Sequence, residues 1–177
     1  MNDQHLIIPA IAGDGALFPI AKLRAHEIGQ KHLAISVFVF AGDHLLIQQR
    51  AFGKYHSAGQ WANTCCSHPH WEETPEHCAR RRLHEELGLS LELKPCSIFD
   101  YRAEVGHGLV ENERVHVFSG HLTDKSAPVP FDPAEVEAID WAALDDLRLE
   151  SAKQPERFTP WFRIYLANWS ALNLPRN

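Results

Sequence analysis

The sequence predicts an α+β fold, an α/β sandwich with a mixed β-sheet held between helices. Three observations predict it. Strand-like runs outnumber helical ones and are mostly joined by short connections. Two Thr-Pro pairs, Thr74-Pro75 and Thr159-Pro160, each open a helix. The 177 residues are 45% hydrophobic and 23% charged, a globular composition in a chain long enough to bury a sizeable core. At about 150 residues per domain, this length predicts one domain over 1–177. Residues 1–20 are expected to be a flexible N-terminal segment.

His32–Ala41 reads as a strand rich in Val, Ile and Phe, buried on both faces. Ala41-Gly42-Asp43 turns the chain into a second strand, His44–Arg50, giving a hairpin. Residues 53–59 are a polar loop and 61–64 a short strand. Thr74 can cap the next helix, Pro75 suits its first turn, and Glu76 complements its dipole. That helix runs to Leu87 and stops at Gly88. Its apolar stripe is Ala79, Leu83 and Leu87, spaced by four, with Cys78 alongside. Arg82 and Glu86 share the neighbouring face, with Arg81 and Glu85 next to them. Residues 91–103 hold one or two strands, and 114–122 and 136–141 one each. The second Thr-Pro pair opens a helix through Leu172. Its Trp161, Phe162, Ile164, Tyr165, Leu166, Trp169 and Leu172 are too many for a thin stripe, so it packs deeply.

Seventeen basic residues face 23 acidic ones, a net charge of −6, which argues against a general nucleic-acid or anionic-membrane binder. The longest apolar run, 33–41, is far short of the ~20 residues that span a bilayer. Met1-Asn2-Asp3-Gln4 lacks the basic start of a secretory signal. Four cysteines, at 65, 66, 78 and 96, form no Cys-x-x-Cys. Free thiols in a reducing, cytoplasmic setting follow as the expectation. Twelve histidines are a heavy load and hint at metal or proton chemistry.

The densest chemistry is Trp61-Ala62-Asn63-Thr64-Cys65-Cys66-Ser67-His68-Pro69-His70. Pro69 pushes His68 toward extended geometry, so Cys66 and His68 project to the same side. A thiol beside a histidine or a metal is expected to titrate below its usual ~8.5. Taken alone, Cys66 reads equally well as a small buried hydrophobe. Glu111-Asn112-Glu113 puts two carboxylates on one side of an extended chain. They need a cation, protonation or solvent. His26, His32, His68, Glu111 and Glu113 together could form a three-histidine, two-carboxylate site. Mixed nitrogen and oxygen ligands suit Mn²⁺, Fe²⁺ or Zn²⁺, with Mg²⁺ favouring oxygen.

Three segments, in this order, resemble the type I isopentenyl-diphosphate Δ-isomerase family, which is built on the Nudix fold. They are Asn63-Thr64-Cys65-Cys66-Ser67-His68-Pro69, Arg81-Arg82-Leu83-His84-Glu85-Glu86-Leu87-Gly88 and Val110-Glu111-Asn112-Glu113. Ser67, Glu73 and the run from Arg81 to Leu89 also overlay a Nudix box in spacing. A hydrolase of that fold would carry glycine at Ser67 and glutamate at Arg82. Arginine there removes a metal ligand and adds a cation, which suits a site that holds a diphosphate intact.

The resemblance implies a Nudix-like mixed sheet and conversion of isopentenyl diphosphate to dimethylallyl diphosphate, in isoprenoid biosynthesis. It implies Cys66 and Glu113 as catalytic residues and Tyr101 as an aromatic of the pocket; Tyr101 or a metal-bound water could relay a proton at Glu113. His26, His32, His68, Glu111 and Glu113 match its first metal site, for Mn²⁺, Zn²⁺ or Mg²⁺. Glu86 matches a ligand of a second Mg²⁺ that accompanies the diphosphate. Lys22, Arg50, Lys54 and Arg82 match its diphosphate contacts, and Trp161 an aromatic of its pocket. A small allylic or homoallylic diphosphate is the implied partner, on a monomer or weak homodimer. The competing expectations are a Nudix hydrolase, a non-catalytic metal-binding or regulatory domain, and a thiol hydrolase using Cys66 and His68.

Overall fold

The structure, a computed structural model, describes residues 6–175. The chain begins with a hairpin, β1 (Ile7–Ile11) and β2 (Leu17–Ala21), followed by helix α1 (Lys22–Ile28). Then come β3 (His32–Ala41), β4 (His44–Arg50), β5 (Trp61–Ala62), β6 (Cys65–Ser67) and helix α2 (Pro75–Leu87). The long strands β7 (Lys94–Gly106) and β8 (Leu109–His121) lead to β9 (Val136–Ala143), α3 (Leu144–Lys153) and α4 (Pro160–Ala167). Short 3₁₀ turns at Pro155–Arg157 and Trp169–Leu172 flank α4.

Strand β3 is the centre of the sheet. It pairs in parallel with β8 and antiparallel with β1, β4 and β6, so the sheet is mixed. Its alternation serves two cores. Ile35, Val37 and Val39 face α2, where they meet Leu83 and Leu87. Ala34, Phe38 and Phe40 face α3 and α4, where they meet Leu147, Phe162 and Tyr165. Side chains of this size each stabilise the fold by ~1.5–3 kcal/mol when fully buried. Both faces of the sheet therefore need a helical cover.

Both Thr-Pro starts are caps. Thr74 Oγ1 accepts from the His77 N–H at 3.2 Å, and Thr159 Oγ1 from the Phe162 N–H at 3.4 Å. Helix α2 stops at Gly88, whose φ of +63° suits glycine. A Cβ there would also lie 2.9 Å from the Pro130 carbonyl oxygen.

Several boundaries differ from those the sequence predicts. Residues 7–20 of the segment expected to be flexible belong to the β1–β2 hairpin, which ends at Ala21, and β1 packs Ile8 and Ala10 into the core. Residues 1–5 lie outside the described residues. The C-terminal helix ends at Ala167 rather than Leu172, because the Asn168 side chain donates to the Ile164 carbonyl at 2.9 Å and caps it. Helix α3 buries only Leu147, too little to print an apolar stripe. Strand β8 begins at Leu109, five residues before the predicted 114. Glu111 and Glu113 therefore sit inside a strand, at buried positions of the alternation Leu109, Glu111, Glu113, Val115, Val117. Among the described residues no helix is long and apolar enough to cross a membrane.

Candidate active site

Sheet register assembles the site. His32 of β3 lies opposite Glu113 of β8, and Glu113 lies opposite Tyr101 of β7, so the three form one row. On the other side of β3, Ser36 pairs with Cys66 of β6. Helix α1 adds His26, and the chain after β6 adds His68.

His26 Nδ1 is 2.7 Å from the Lys22 carbonyl, and His32 Nδ1 is 2.7 Å from the Gln30 carbonyl. A carbonyl only accepts, so each Nδ1 carries the proton and each Nε2 keeps its lone pair. His26 Nε2 is buried with no hydrogen-bond partner. His68 Nε2 lies 3.2 Å from His32 Nε2 and 2.9 Å from Glu113 Oε1. Ligand atoms of His26, His32, His68 and Glu113 all fall within 4.8 Å of one another. Burial lowers His26 to about 4 and His68 to about 3, keeping both imidazoles neutral near pH 7. Neutral, carbonyl-oriented imidazoles beside a carboxylate, one with an orphaned buried nitrogen, fit a divalent cation.

Glu111 groups instead with His26 and His56. Burial and the adjacent Glu113 push the Glu111 carboxyl up. Burial acts on Glu113 the same way, but His68 and His32 outweigh it and hold Glu113 low, as a carboxylate. Tyr101 Oη lies 2.8 Å from Glu111 Oε2 and 2.8 Å from Glu113 Oε2. One hydroxyl hydrogen cannot serve two carboxylates. A proton on Glu111 resolves the conflict, because that carboxyl then donates to Tyr101 while Tyr101 donates to Glu113.

Cys66 lines the same cavity as Glu113. The expected lowering of its pKa does not occur: burial pushes the thiol up to about 12, against the opposing pull of Ser36 and Asn63. The S–H donates to Asn63 Oδ1 at 3.0 Å. Asn63 is held in that orientation because its Nδ2 donates to the Val37 and Cys65 carbonyls. Ser36 Oγ stands 3.1 Å from the sulfur and 2.9 Å from the Tyr165 hydroxyl.

The cavity, about 210 Å³, is also lined by Lys22, Arg50, Lys54, Arg82 and Trp161. The Arg50 guanidinium lies 5.3 Å from the Trp161 ring centroid, within cation–π range. The helix-face reading of Arg82 and Glu86 holds: Arg82 Nη2 donates to Glu86 Oε1 at 2.7 Å. Gln48 holds the other Glu86 oxygen at 3.0 Å. Glu135 accepts from both Arg82 and Lys54.

Of the residues predicted from sequence, Cys66, His68, Glu86, Glu111, Glu113, Tyr101, Lys22, Arg50, Lys54, Arg82 and Trp161 line this one cavity. His26 and His32 do not line it but cluster with His68 and Glu113, where they could hold an ion. Sequence reasoning missed His56, Glu135, Gln48, Asn63, Ser36 and Tyr165. His56 sits in a loop with no periodicity, and burial holds it neutral at about 2. Ser36 was visible as the polar interruption of an apolar strand, and Asn63 as part of the cysteine motif. Nothing local marks Glu135.

A NUDIX domain model matches residues 30–162. The chain is 53% identical over 156 residues to the isopentenyl-diphosphate Delta-isomerase of Cereibacter sphaeroides, covering 88% of each chain. It is 49% identical over 161 residues to that of Rhodobacter capsulatus, covering 90% of each. Among solved structures, a Burkholderia pseudomallei MutT NUDIX hydrolase aligns with TM-score 0.59 at 25% identity, covering 78% of this chain and 97% of its own. A Deinococcus radiodurans protein aligns with TM-score 0.74 at 15% identity, covering 92% and 98%, which speaks to fold alone.

Proposed function

Since the chain belongs to the isopentenyl-diphosphate Delta-isomerase family, within the NUDIX group, we propose that this cavity is where it moves the double bond of isopentenyl diphosphate to give dimethylallyl diphosphate. The chain is an isomerase by that membership. One observation carries the assignment to this cavity: the Cys66–Glu113 pair and four cationic side chains line a single enclosure. The pair supplies proton exchange, and the cations supply a seat for a diphosphate.

The reaction adds a proton at C4 and removes one from C2, through a tertiary carbocation-like state at C3. An alkene is a weak base, so protonation is the hard step. One acid–base group contributes only ~10²–10⁴-fold, and the rest comes from positioning and electrostatics. Cys66, a neutral thiol, and Glu113, a carboxylate, hold one proton between them. That is the charge state an exchange needs, one group giving and the other taking. Tyr101 relays at Glu113 through its 2.8 Å bond. Trp161 turns an aromatic ring to the cavity, and its π face stabilises positive charge at C3.

His26, His32, His68 and Glu113 would hold a divalent cation, Mn²⁺, Zn²⁺ or Mg²⁺, and Glu111, which groups with His26 and His56, would join them once ionised. Such an ion acts as a Lewis acid that favours ionised carboxylates. Glu86 would take Mg²⁺ arriving with the diphosphate. Lys22, Arg50, Lys54 and Arg82 bind its oxygens. Arg82 at a position where a hydrolase needs a carboxylate supports isomerisation over phosphate cleavage.

The test is an NMR time course with isopentenyl diphosphate, Mg²⁺ and Mn²⁺ in D₂O, beside Cys66→Ala. Expected is dimethylallyl diphosphate bearing deuterium at C4, absent with the variant. Phosphate release without isomer would overturn the reading.

A further inference from the structure

The cation end of the cavity already contains an anion. One oxygen of Glu135, Oε2, accepts from Arg82 Nη2 at 3.1 Å and from Lys54 Nζ. An oxygen shared by a guanidinium and an ammonium is the arrangement a phosphate oxygen would adopt there. We propose that Glu135 is a built-in competitor for the diphosphate: its carboxylate occupies the position between Lys54 and Arg82, and swings out when the substrate's phosphate enters. The inference rests on the diphosphate reading above and adds a specificity-determining residue to it.

Of the two partners Glu135 and Arg82, Glu135 is the freer to move. Arg82 projects from helix α2 and is also tied to Glu85 at 2.8 Å and Glu86 at 2.7 Å. Glu135 is more exposed, 22% against 14% for Arg82. Its backbone is pinned: its N–H donates to the Asp132 carbonyl, and its own carbonyl accepts from the Ala51 N–H. Only its side chain needs to rotate, and the loop and helix it bridges stay where they are.

Charge balance gives the competition its consequence. Lys22, Arg50, Lys54 and Arg82 share the cavity with Glu86, Glu113 and Glu135, so its cations are largely offset. A ligand must then outcompete Glu135 rather than fall into an open positive pocket. A diphosphate can, because it reaches several cations together and carries more charge than one carboxylate. A lone phosphate is a poor competitor. Glu135 therefore selects against small anions by making them displace an occupant.

The measurement is calorimetric titration with inorganic pyrophosphate and with orthophosphate, each with and without Mg²⁺. Wild type is compared with Glu135→Gln, Glu135→Ala and Lys54→Ala. Both Glu135 variants should bind pyrophosphate tighter by about three- to tenfold, and orthophosphate by a larger factor. Lys54→Ala should weaken pyrophosphate binding. If Glu135→Gln binds pyrophosphate equally or more weakly, the competitor is overturned. Weakening confined to Mg²⁺ would make Glu135 a cation ligand instead. If wild type binds no pyrophosphate, or Lys54→Ala changes nothing, the diphosphate reading itself fails.

Discussion

At the His26 end of the cavity, polar atoms outnumber their partners. His26 Nε2 and His68 Nδ1 are buried without one, and Tyr101 reaches two carboxylates with one hydrogen. At the Arg82 end, opposite charges are matched. Arg82 meets Glu85, Glu86 and Glu135, Lys54 meets Glu135, and Gln48 holds the remaining Glu86 oxygen. Buried polar atoms without partners occur at both ends, Arg82 Nε and Gln48 Oε1 among them, so the two ends differ in charge: neutral imidazoles beside two adjacent carboxyl groups on one side, paired opposite charges on the other. On the proposed reading, that difference suits the histidine end to a cation and a moving proton. The arginine end is shaped to exchange one anion for another.

The largest expected effect lies at the histidine end. Glu113→Gln keeps the shape of the side chain but removes its charge and its proton capacity. We expect kcat to fall by about 10²–10⁴-fold with little change in KM, measured by steady-state isomerisation. A selective rise in KM would move Glu113 to the binding end and break the comparison.

Arg82→Ala tests the opposite end. It strips Glu86 and Glu135 of a shared cation and, on the proposed reading, removes a diphosphate contact. KM should rise by about 10–100-fold, more than kcat falls. Equal loss in both would mean that Arg82 stabilises the transition state rather than the bound ground state.

How far each end was legible in the sequence follows from how it is built. Arg82 and Glu86 lie one helical turn apart, so local spacing placed them together correctly. His32, Glu113 and Tyr101 are brought into one row by a parallel β3–β8 pairing and a β7–β8 hairpin. No local period encodes a parallel pairing, so only resemblance to a family could gather them. Glu111 and Glu113 read as an acidic surface pair when taken alone. They are buried because strand β8 starts earlier than its apolar residues suggest, which carries the inward alternation back through two carboxylates. Cys66 was found, but not its protonation, which follows from desolvation in the folded site. Glu135 reaches the cavity from the chain just before β9. Its contacts span 53 residues to Arg82 and 81 to Lys54, far beyond any sequence pattern.

Tyr101→Phe sharpens the histidine end with a smaller change. It deletes one hydroxyl and leaves the ring packed edge-on against Tyr165 at 5.8 Å. Turnover should drop by about tenfold, within the lower range for a group that assists proton transfer. Unchanged turnover would remove Tyr101 from the relay and leave the Glu111–Glu113 contact as its only purpose.

The smallest effect on catalysis is expected just outside the cavity, at Glu73, which precedes the helix that carries Arg82. Glu73 receives Arg81 Nε at 2.8 Å on one oxygen and Arg81 Nη2 at 2.7 Å on the other, with the His70 N–H at 2.8 Å. Burial alone would raise its pKa, but Arg81 and the His70 N–H outweigh that and hold it at about 2. A carboxylate whose folded pKa lies below its unfolded value stabilises the fold above the unfolded pKa, here 4.5. That contribution declines as pH falls from there and is lost as pH passes through about 2. Glu73→Gln should therefore cost about 1–2 kcal/mol at pH 7 and progressively less toward pH 3, read from urea unfolding of both proteins at each pH. Turnover per folded molecule should stay near wild type. A cost that did not shrink with acid would mean that Glu73 acts by packing rather than by charge. A large loss of turnover would extend the working part of the arginine end through Arg81 to Glu73, ahead of helix α2, and the matched charges there could no longer be assigned to binding alone.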